Sequence, residues 1–508
     1  MSSKENKHLL ACVVFLVVVL FNSCIMETRK KEVVLYDTYC ASCHVAPDIN
    51  SLPKTIWKEA VLPAMGARMG IWEMENHPYH NLPFHEQAAI LKTGIYPEKP
   101  MISSEDWEVL SNYIISLAPD TLPKAPLATA NLTHQFKEVP IDLKDNISGN
   151  ITYMGYHAHN GHILLGSNRG TLSAYDPKSG ETSDLGNYRS PISDITTVGD
   201  STFITAMGML LPSEIANGNV LVHDGQGRRN LLAPLHRPVH TLVQDLDGNG
   251  SNEYVVSEFG DLAGILSLWS KNEDGSLTPK TLLAQPGTIR TMARDMDQDG
   301  HLDLVALTSQ GDESITILYQ KEPLKFTAEK AIRFSPVYGS SWFELVDYDD
   351  DGDQDIITVH GDNADESYVQ KPYHGMRIHL NDGNNEFTEV FFYPLNGATR
   401  VVAEDFDADG DTDMALLATF PDYENAPQRA FVYLENINAT AHTFKTHIME
   451  NALANRWFLM DAADMDGDGD TDIVLSGFNQ AFTPVPEQLQ EEWDQGRTDL
   501  MLLENTLK

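Results

Sequence analysis

The chain has 508 residues, more than one hydrophobic core usually organises, so several domains or a repeat array are expected. Its 42% of hydrophobic residues exclude a mainly disordered chain, and its four cysteines are too few for a disulfide scaffold. Acids outnumber bases 74 to 35, a formal charge of −39, which argues against a nucleic-acid partner because phosphate neutralisation needs clustered Lys and Arg.

The N-terminus reads as an export address. Lys4 and Lys7 precede Leu9 to Phe21, a run without a polar residue. That run is too short to span a bilayer, which takes about 20 apolar residues, and it fits the apolar region of a secretory signal. Ser23-Cys24 ends it and resembles a bacterial lipoprotein cleavage box, although Phe21 and Asn22 replace the usual Leu and small residue. The resemblance implies lipid on Cys24. An ordinary signal peptide and a single-span anchor are the alternatives. Ile25 rather than Asp follows the cysteine, so the expected location is the periplasmic or cell-surface side of the outer membrane.

Residues 30–120 read as a small all-α domain. Cys40-Ala41-Ser42-Cys43-His44 is C-x-x-C-H, the attachment signature of c-type haem. Two thiols at that spacing add to the two haem vinyl groups, and the following imidazole faces the iron. A Cys40–Cys43 disulfide is the alternative; zinc is disfavoured because no second C-x-x-C exists. For the sixth ligand the region offers Met65, Met69, Met74, Met101, His77, His80 and His85. Trp57 with Leu62-Pro63-Ala64-Met65-Gly66-Ala67-Arg68 resembles cytochrome domains with a Trp-containing helix and a Met-Gly. By that resemblance Met65 is the ligand and Met101 its rival. A last helix is expected over Ser104 to Leu117, with Trp107, Leu110, Tyr113 and Ile114 at helical spacing.

Residues 118–135 hold Pro119, Pro123 and Pro126 among small residues and read as an extended connector. Beyond it one pattern recurs: a short strand, an aspartate-rich loop, a second strand. The loops read D-x-D-x-[DN]-G-x-x-[DE], and their first residues, Asp245, Asp295, Asp347, Asp405 and Asp464, lie 50, 52, 58 and 59 apart. That period belongs to a propeller blade of four strands. The candidate Ca²⁺ ligands are Asp245, Asp247, Asn249 and Glu253; Asp295, Asp297, Asp299 and Asp303; Asp347, Asp349, Asp351 and Asp355; Asp405, Asp407, Asp409 and Asp413; and Asp464, Asp466, Asp468 and Asp472. Oxygens at alternate positions converge on a hard cation, and the Gly permits the sharp turn. An EF-hand is excluded, because its Glu at position 12 is replaced by Val256, Ala306, Thr358, Leu416 and Leu475 inside strands. The loops resemble those of FG-GAP or VCBS repeats in integrin-like propellers. They carry 23 of the acids, and five Ca²⁺ would take −39 to −29.

Recurring later strands, from Thr171–Tyr175 to Leu500–Leu503, give seven units over 136–508, the first two without acidic loops. The last unit lacks a fourth strand, and Phe136 to Leu143 is expected to close the ring by pairing with it. No signature of a catalytic site occurs in the propeller. Arg237, Arg290, Arg400 and Arg456, with Trp342 and Trp457, open several blades; they either ring the channel for an anionic ligand or the haem domain, or each pairs with a nearby aspartate. The whole resembles cytochrome-plus-VCBS surface lipoproteins of Gram-negative bacteria. That resemblance implies one haem c, up to five Ca²⁺, a lipid anchor and one-electron exchange with a redox partner protein or small donor or acceptor, rather than a stand-alone enzyme. Two alternatives remain: a surface adhesion propeller, taking a surface ligand or glycan, with an auxiliary haem domain, and a propeller oxidoreductase site feeding electrons to the haem.

Overall fold

The computed structural model describes residues 29–72, 77–143, 150–362, 368–480, 483–496 and 498–507. The export segment, Cys24 and Met74 lie outside them. Among the described residues, no helix is long and apolar enough to cross a membrane.

The helical domain starts with α1 (Lys31–Tyr39), which ends at Cys40. A single 3₁₀ turn (Ile49–Ser51) and a π turn (Trp57–Val61) lead into α2 (Leu62–Arg68). Then come α3 (Phe84–Thr93) and α4 (Ser104–Leu117). The Ser103 hydroxyl caps α4 by accepting from Asp106 N at 3.1 Å. Leu110 and Ile114, one turn apart, are fully buried and join Ile49, Leu52, Trp57 and Leu62 in one core. Helices α1 and α4 pack together, with Tyr36 edge-on to Tyr113 at 6.4 Å and Lys31 paired to Asp106.

The rest of the described chain is a seven-bladed propeller. Blades 1 to 5 take their four strands in chain order: blade 1 from Ile151–His157 to Thr182–Asn187, blade 5 from Ser340–Val346 to Phe387–Pro394. The first strand of each blade packs on the first strands of both neighbours, and Ile151–His157 meets Trp457–Ala463, so the ring is closed. Phe136–Ile141 supplies the outer strand of blade 7, pairing antiparallel with Leu500–Asn505 from Phe136↔Asn505 to Ile141↔Leu500. This strand precedes blade 1 in sequence and removes two open edges. Within the connector, Ala130–Leu132 adds a parallel fifth strand to blade 6, beside Thr443–Ile448.

Seven apolar clusters lie between neighbouring blades, one per interface. They arise from period-two alternation on strands covered on both sides. In Asp303–Thr308, Leu304 and Ala306 face blade 3 while Val305 and Leu307 face blade 5. Such strands therefore read as unbroken apolar runs.

The acidic loops join first to second strands. The connections between blades, and between second and third strands, lie on the other face, where the helical domain sits. Ser213 donates to Glu86 of α3 at 2.7 Å from blade 2, and Tyr373 of blade 5 donates to Ser51 O at 2.8 Å. Val337, Tyr338 and Tyr373 join the helical core itself. Blades 2 and 5 stand nearly opposite in a ring of seven, so the helical domain straddles the mouth of the central channel.

Candidate functional site

The five acidic loops share one construction. The residue after the first aspartate is apolar and buried: Leu246, Met296, Tyr348, Phe406 and Met465. The sixth residue is a glycine with φ between 86° and 103°, a region open to glycine. In four loops its N–H donates to the first aspartate, as from Gly250 to Asp245 at 2.9 Å. In the fifth loop Gly467 N takes that role toward Asp464 at 2.7 Å. Three carboxylates converge in each loop: Asp245, Asp247 and Glu253; Asp295, Asp297 and Asp299; Asp347, Asp349 and Asp351; Asp405, Asp407 and Asp413; Asp464, Asp466 and Asp472. Ligand oxygens in each trio lie within 4.8 Å of one another.

Two features escaped the sequence. First, the ninth residue is a clamp as much as a candidate ligand. Asp413 is fully buried; it accepts from Phe406 N at 3.2 Å, Asn436 N at 2.6 Å and the Tyr433 hydroxyl at 2.7 Å. Asp303, Asp355 and Asp472 repeat the two backbone bonds, and Glu253 repeats the first. Burial pushes the carboxyls of Asp355 and Asp472 up to about 6 and that of Asp413 to about 7. Second, Asp353, Asp411 and Asp470, at the seventh position, each carry a buried oxygen without a hydrogen-bond donor among the described residues. Asp297 does the same, and its other oxygen, like Asp299, pairs with the ammonium of Lys321.

In the helical domain, Cys40 and Cys43 are unpaired thiols, the first half-buried and the second exposed. The expected alternative of a disulfide is therefore not formed. Burial, with Asp37 close by, raises the Cys40 thiol to about 11. His44 Nδ1 lies 2.8 Å from Val45 O. Protonated there, the ring donates to that carbonyl and keeps the Nε2 lone pair for another atom. The segment after His44 is pinned by Tyr36 to Pro47 O, Trp57 Nε1 to Ile49 O at 2.9 Å, and Tyr373 to Ser51 O. Met65 is half-buried on α2; Met69, one turn on, packs with Cys40 against the helical core. Met101 is 60% exposed, and its N–H donates to Met69 O at 2.9 Å.

The four arginines divide into two registers. Arg237 and Arg456 precede their first strands. Arg237 donates to Met209 O, Leu210 O and Gly260 O, and Arg456 stacks on Trp493 at 5.8 Å. Trp457 is 1% exposed and donates to Ala452 O, so it is a core residue. Arg290, Trp342 and Arg400 instead occupy the third position of their first strands and face the channel. Both guanidinium groups stack on the Trp342 indole, at 4.2 and 4.4 Å from its centroid. Arg290 pairs with Glu344, not with an aspartate, at 2.8 Å, and Glu344 also accepts from Trp342 Nε1 at 2.8 Å.

Residues 295–358 match the family model of the FG-GAP-like repeat. That stretch runs from the acidic loop of blade 4 into the second strand of blade 5. No curated protein matches. Among solved structures, the chain is similar to the Neurospora crassa Pan2 WD40 domain at 10% identity, covering 75% of this chain and 98% of that one, with a TM-score of 0.45. The N-terminal domain of Nup159 shares 10% identity over 75% and 98%, TM-score 0.39. Saccharomyces cerevisiae Sqt1 shares 11% over 75% and 100%, TM-score 0.42. The seven blades rest on the strand pairing itself, and the chain is a seven-bladed β-propeller carrying FG-GAP-like repeat sequence.

Proposed function

We propose that the chain is an exported, lipid-anchored c-type cytochrome that transfers single electrons, mounted on a propeller whose acidic loops hold Ca²⁺. The carrying observation is the C-x-x-C-H segment itself: two unpaired thiols, then an imidazole whose Nδ1 is engaged by Val45 O, leaving Nε2 for iron. Cys40 and Cys43 would hold haem c by thioether bonds, and His44 would be one axial ligand. Met65 is the proposed second, with Met69 and Met101 the variants to compare. A bound haem supplies the Fe(III)/Fe(II) couple. The protein's own part is to fix the imidazole through Val45 O and to pin residues 45–52 by the bonds from Tyr36, Trp57 and Tyr373. The last of these comes from the propeller, which thereby sets where the helical domain presents its surface to a redox partner.

For the loops, the buried oxygens of Asp297, Asp353, Asp411 and Asp470 without donors fit a bound cation, because a buried unpaired carboxylate oxygen is costly. Positions one, three and five would supply oxygens, joined by the ninth in the loops opened by Asp245, Asp405 and Asp464, where it belongs to the converging trio and also holds the loop to the blade. The haem reading is tested by maturing the chain in a cell that attaches c-type haem and staining a denaturing gel for covalent haem. The stain is expected in the parent and absent in Cys40→Ala/Cys43→Ala. An unstained parent overturns the reading.

A further inference from the structure

Three blade junctions are sealed on the acidic-loop face by a side-chain amide. Gln320 Nε2 of blade 4 donates to Leu246 O of blade 3, Asn385 Nδ2 of blade 5 to Met296 O of blade 4, and Asn505 Nδ2 of blade 7 to Phe406 O of blade 6, each at 2.8 Å. Every acceptor is the second residue of an acidic loop. Between blades 5 and 6 no such bond reaches Tyr348 O among the described residues; Asn436 Nδ2 donates instead to Thr412 O of its own blade at 3.0 Å. A cavity of about 190 Å³ opens at this junction. Its polar side chains are Tyr348, Asp349 and Asp350 of blade 5 and Asp411, Thr412 and Thr440 of blade 6. All of them offer oxygen, and no Lys, Arg or His lines it. Two buried polar atoms here have no hydrogen-bond partner among the described residues: the Tyr348 hydroxyl and Asp411 Oδ1. Tyr348 is 3% exposed, and its ring is stacked with that of His442 at 5.9 Å. The nearby Asn436 amide is turned to Thr412 O and Asn438 N. The charges of Asp411 and Asp349 act on the Tyr348 hydroxyl, which sets it toward the carboxylates of the cavity.

We propose that this inter-blade cavity binds a partly hydrated divalent cation, held by the carboxylates of Asp349 and Asp411, with the Tyr348 hydroxyl bonded to its water. A set of oxygens alone selects a hard cation. Three carboxylates with no base among them favour a double positive charge over a single one. The cavity is larger than a bare ion needs, so the ion keeps several waters, and one of these satisfies a phenol that is otherwise buried unpaired. The site differs from the five trios, each of which lies within one blade, because it ties blade 5 to blade 6. Asp411 is outside the trio of its own loop, formed by Asp405, Asp407 and Asp413, whereas Asp349 is shared with the trio of blade 5. The proposal stands independently of haem attachment.

The test is equilibrium dialysis of the full chain against Mn²⁺, followed by anomalous diffraction from Mn²⁺-soaked crystals. Asp411→Asn is expected to bind one Mn²⁺ fewer than the parent. Ala439→Leu fills the cavity, which Ala439 lines, without touching a carboxylate. It should lose the same ion and melt like the parent in chelator. Tyr348→Phe keeps the fold of the junction and should weaken that ion about fivefold, the worth of one hydrogen bond. Anomalous density between Asp349 and Asp411 is expected in the parent and absent in Asp411→Asn. An unchanged Mn²⁺ count in both Asp411→Asn and Ala439→Leu, or density confined to the five trios, would overturn the proposal. Density confined to the trios leaves the loop sites standing, so the two readings fail separately.

Discussion

Lys321 gives the acidic loop of blade 4 a cation of its own, since its ammonium pairs with Asp297 and Asp299. Among the described residues no other trio has an ion-paired lysine, so a divalent ion binding in this loop would have to displace Lys321. Equilibrium dialysis is therefore expected to find that loop the weakest site, and Lys321→Met should tighten it about tenfold; equal affinity with and without the lysine would contradict this. Asp413 and Asp407 separate clamp from ligand within one loop. With chelator present, Asp413→Asn should cost about 1–3 kcal/mol, because one of its two accepting oxygens becomes an NH2 that cannot accept and leaves Phe406 N or Asn436 N unpaired, while Asp407→Asn should cost little. Equal losses in chelator melts would refute the division. Glu313 gives a pH dependence. It is 2% exposed, accepts from the Ser340 N–H and hydroxyl, and burial raises it to about 7 from an ordinary 4.5. The native state then holds a proton that the unfolded state releases, so this group's contribution falls as pH rises from about 4.5 to 7 and levels off above. The loss is on the order of 2–4 kcal/mol, and Glu313→Gln should remove that slope from chelated melts at several pH values.

Among the elements, the strand Phe136–Ile141 closes the ring on Leu500–Asn505. Deleting 136–143 should lower the melting temperature by at least about 10 °C, since it opens an interface and bares two edges; an unchanged melt would mean that blade 7 stands alone. This strand was legible because its alternation stood before blade 1 while the last unit lacked a partner. The acidic loops were legible because a glycine turn and alternating oxygens are local in sequence. Four features were not. The role of the ninth residue depends on N–H groups from a strand about 20 residues on, such as Asn436 for Asp413. Lys321 lies outside its loop altogether. The first strands carry an irregularity near their second residue, as between Thr288 and Arg290, so pre-strand arginines and channel arginines look alike in the sequence. The parallel pairing of Ala130–Leu132 has no local signature, being imposed by the edge it meets.

Across the molecule, contacts at blades 2 and 5 hold the helical domain over one mouth of the channel, and Lys124 of the connector reaches Asn425 of blade 6. The acidic loops occupy the opposite face, so the proposed cation sites and the proposed haem lie on separate surfaces joined by the blades. In the proposed reading, the helical domain is the end that would meet a redox partner. The most direct test is the absorption spectrum of the full chain, matured where c-type haem is attached, oxidised and then reduced with dithionite. The account predicts covalently bound, low-spin haem that reduces fully, with a thioether charge-transfer band in the oxidised form that disappears in Met65→Ala and survives in Met101→Ala. A protein that carries no covalent haem after such maturation would contradict it.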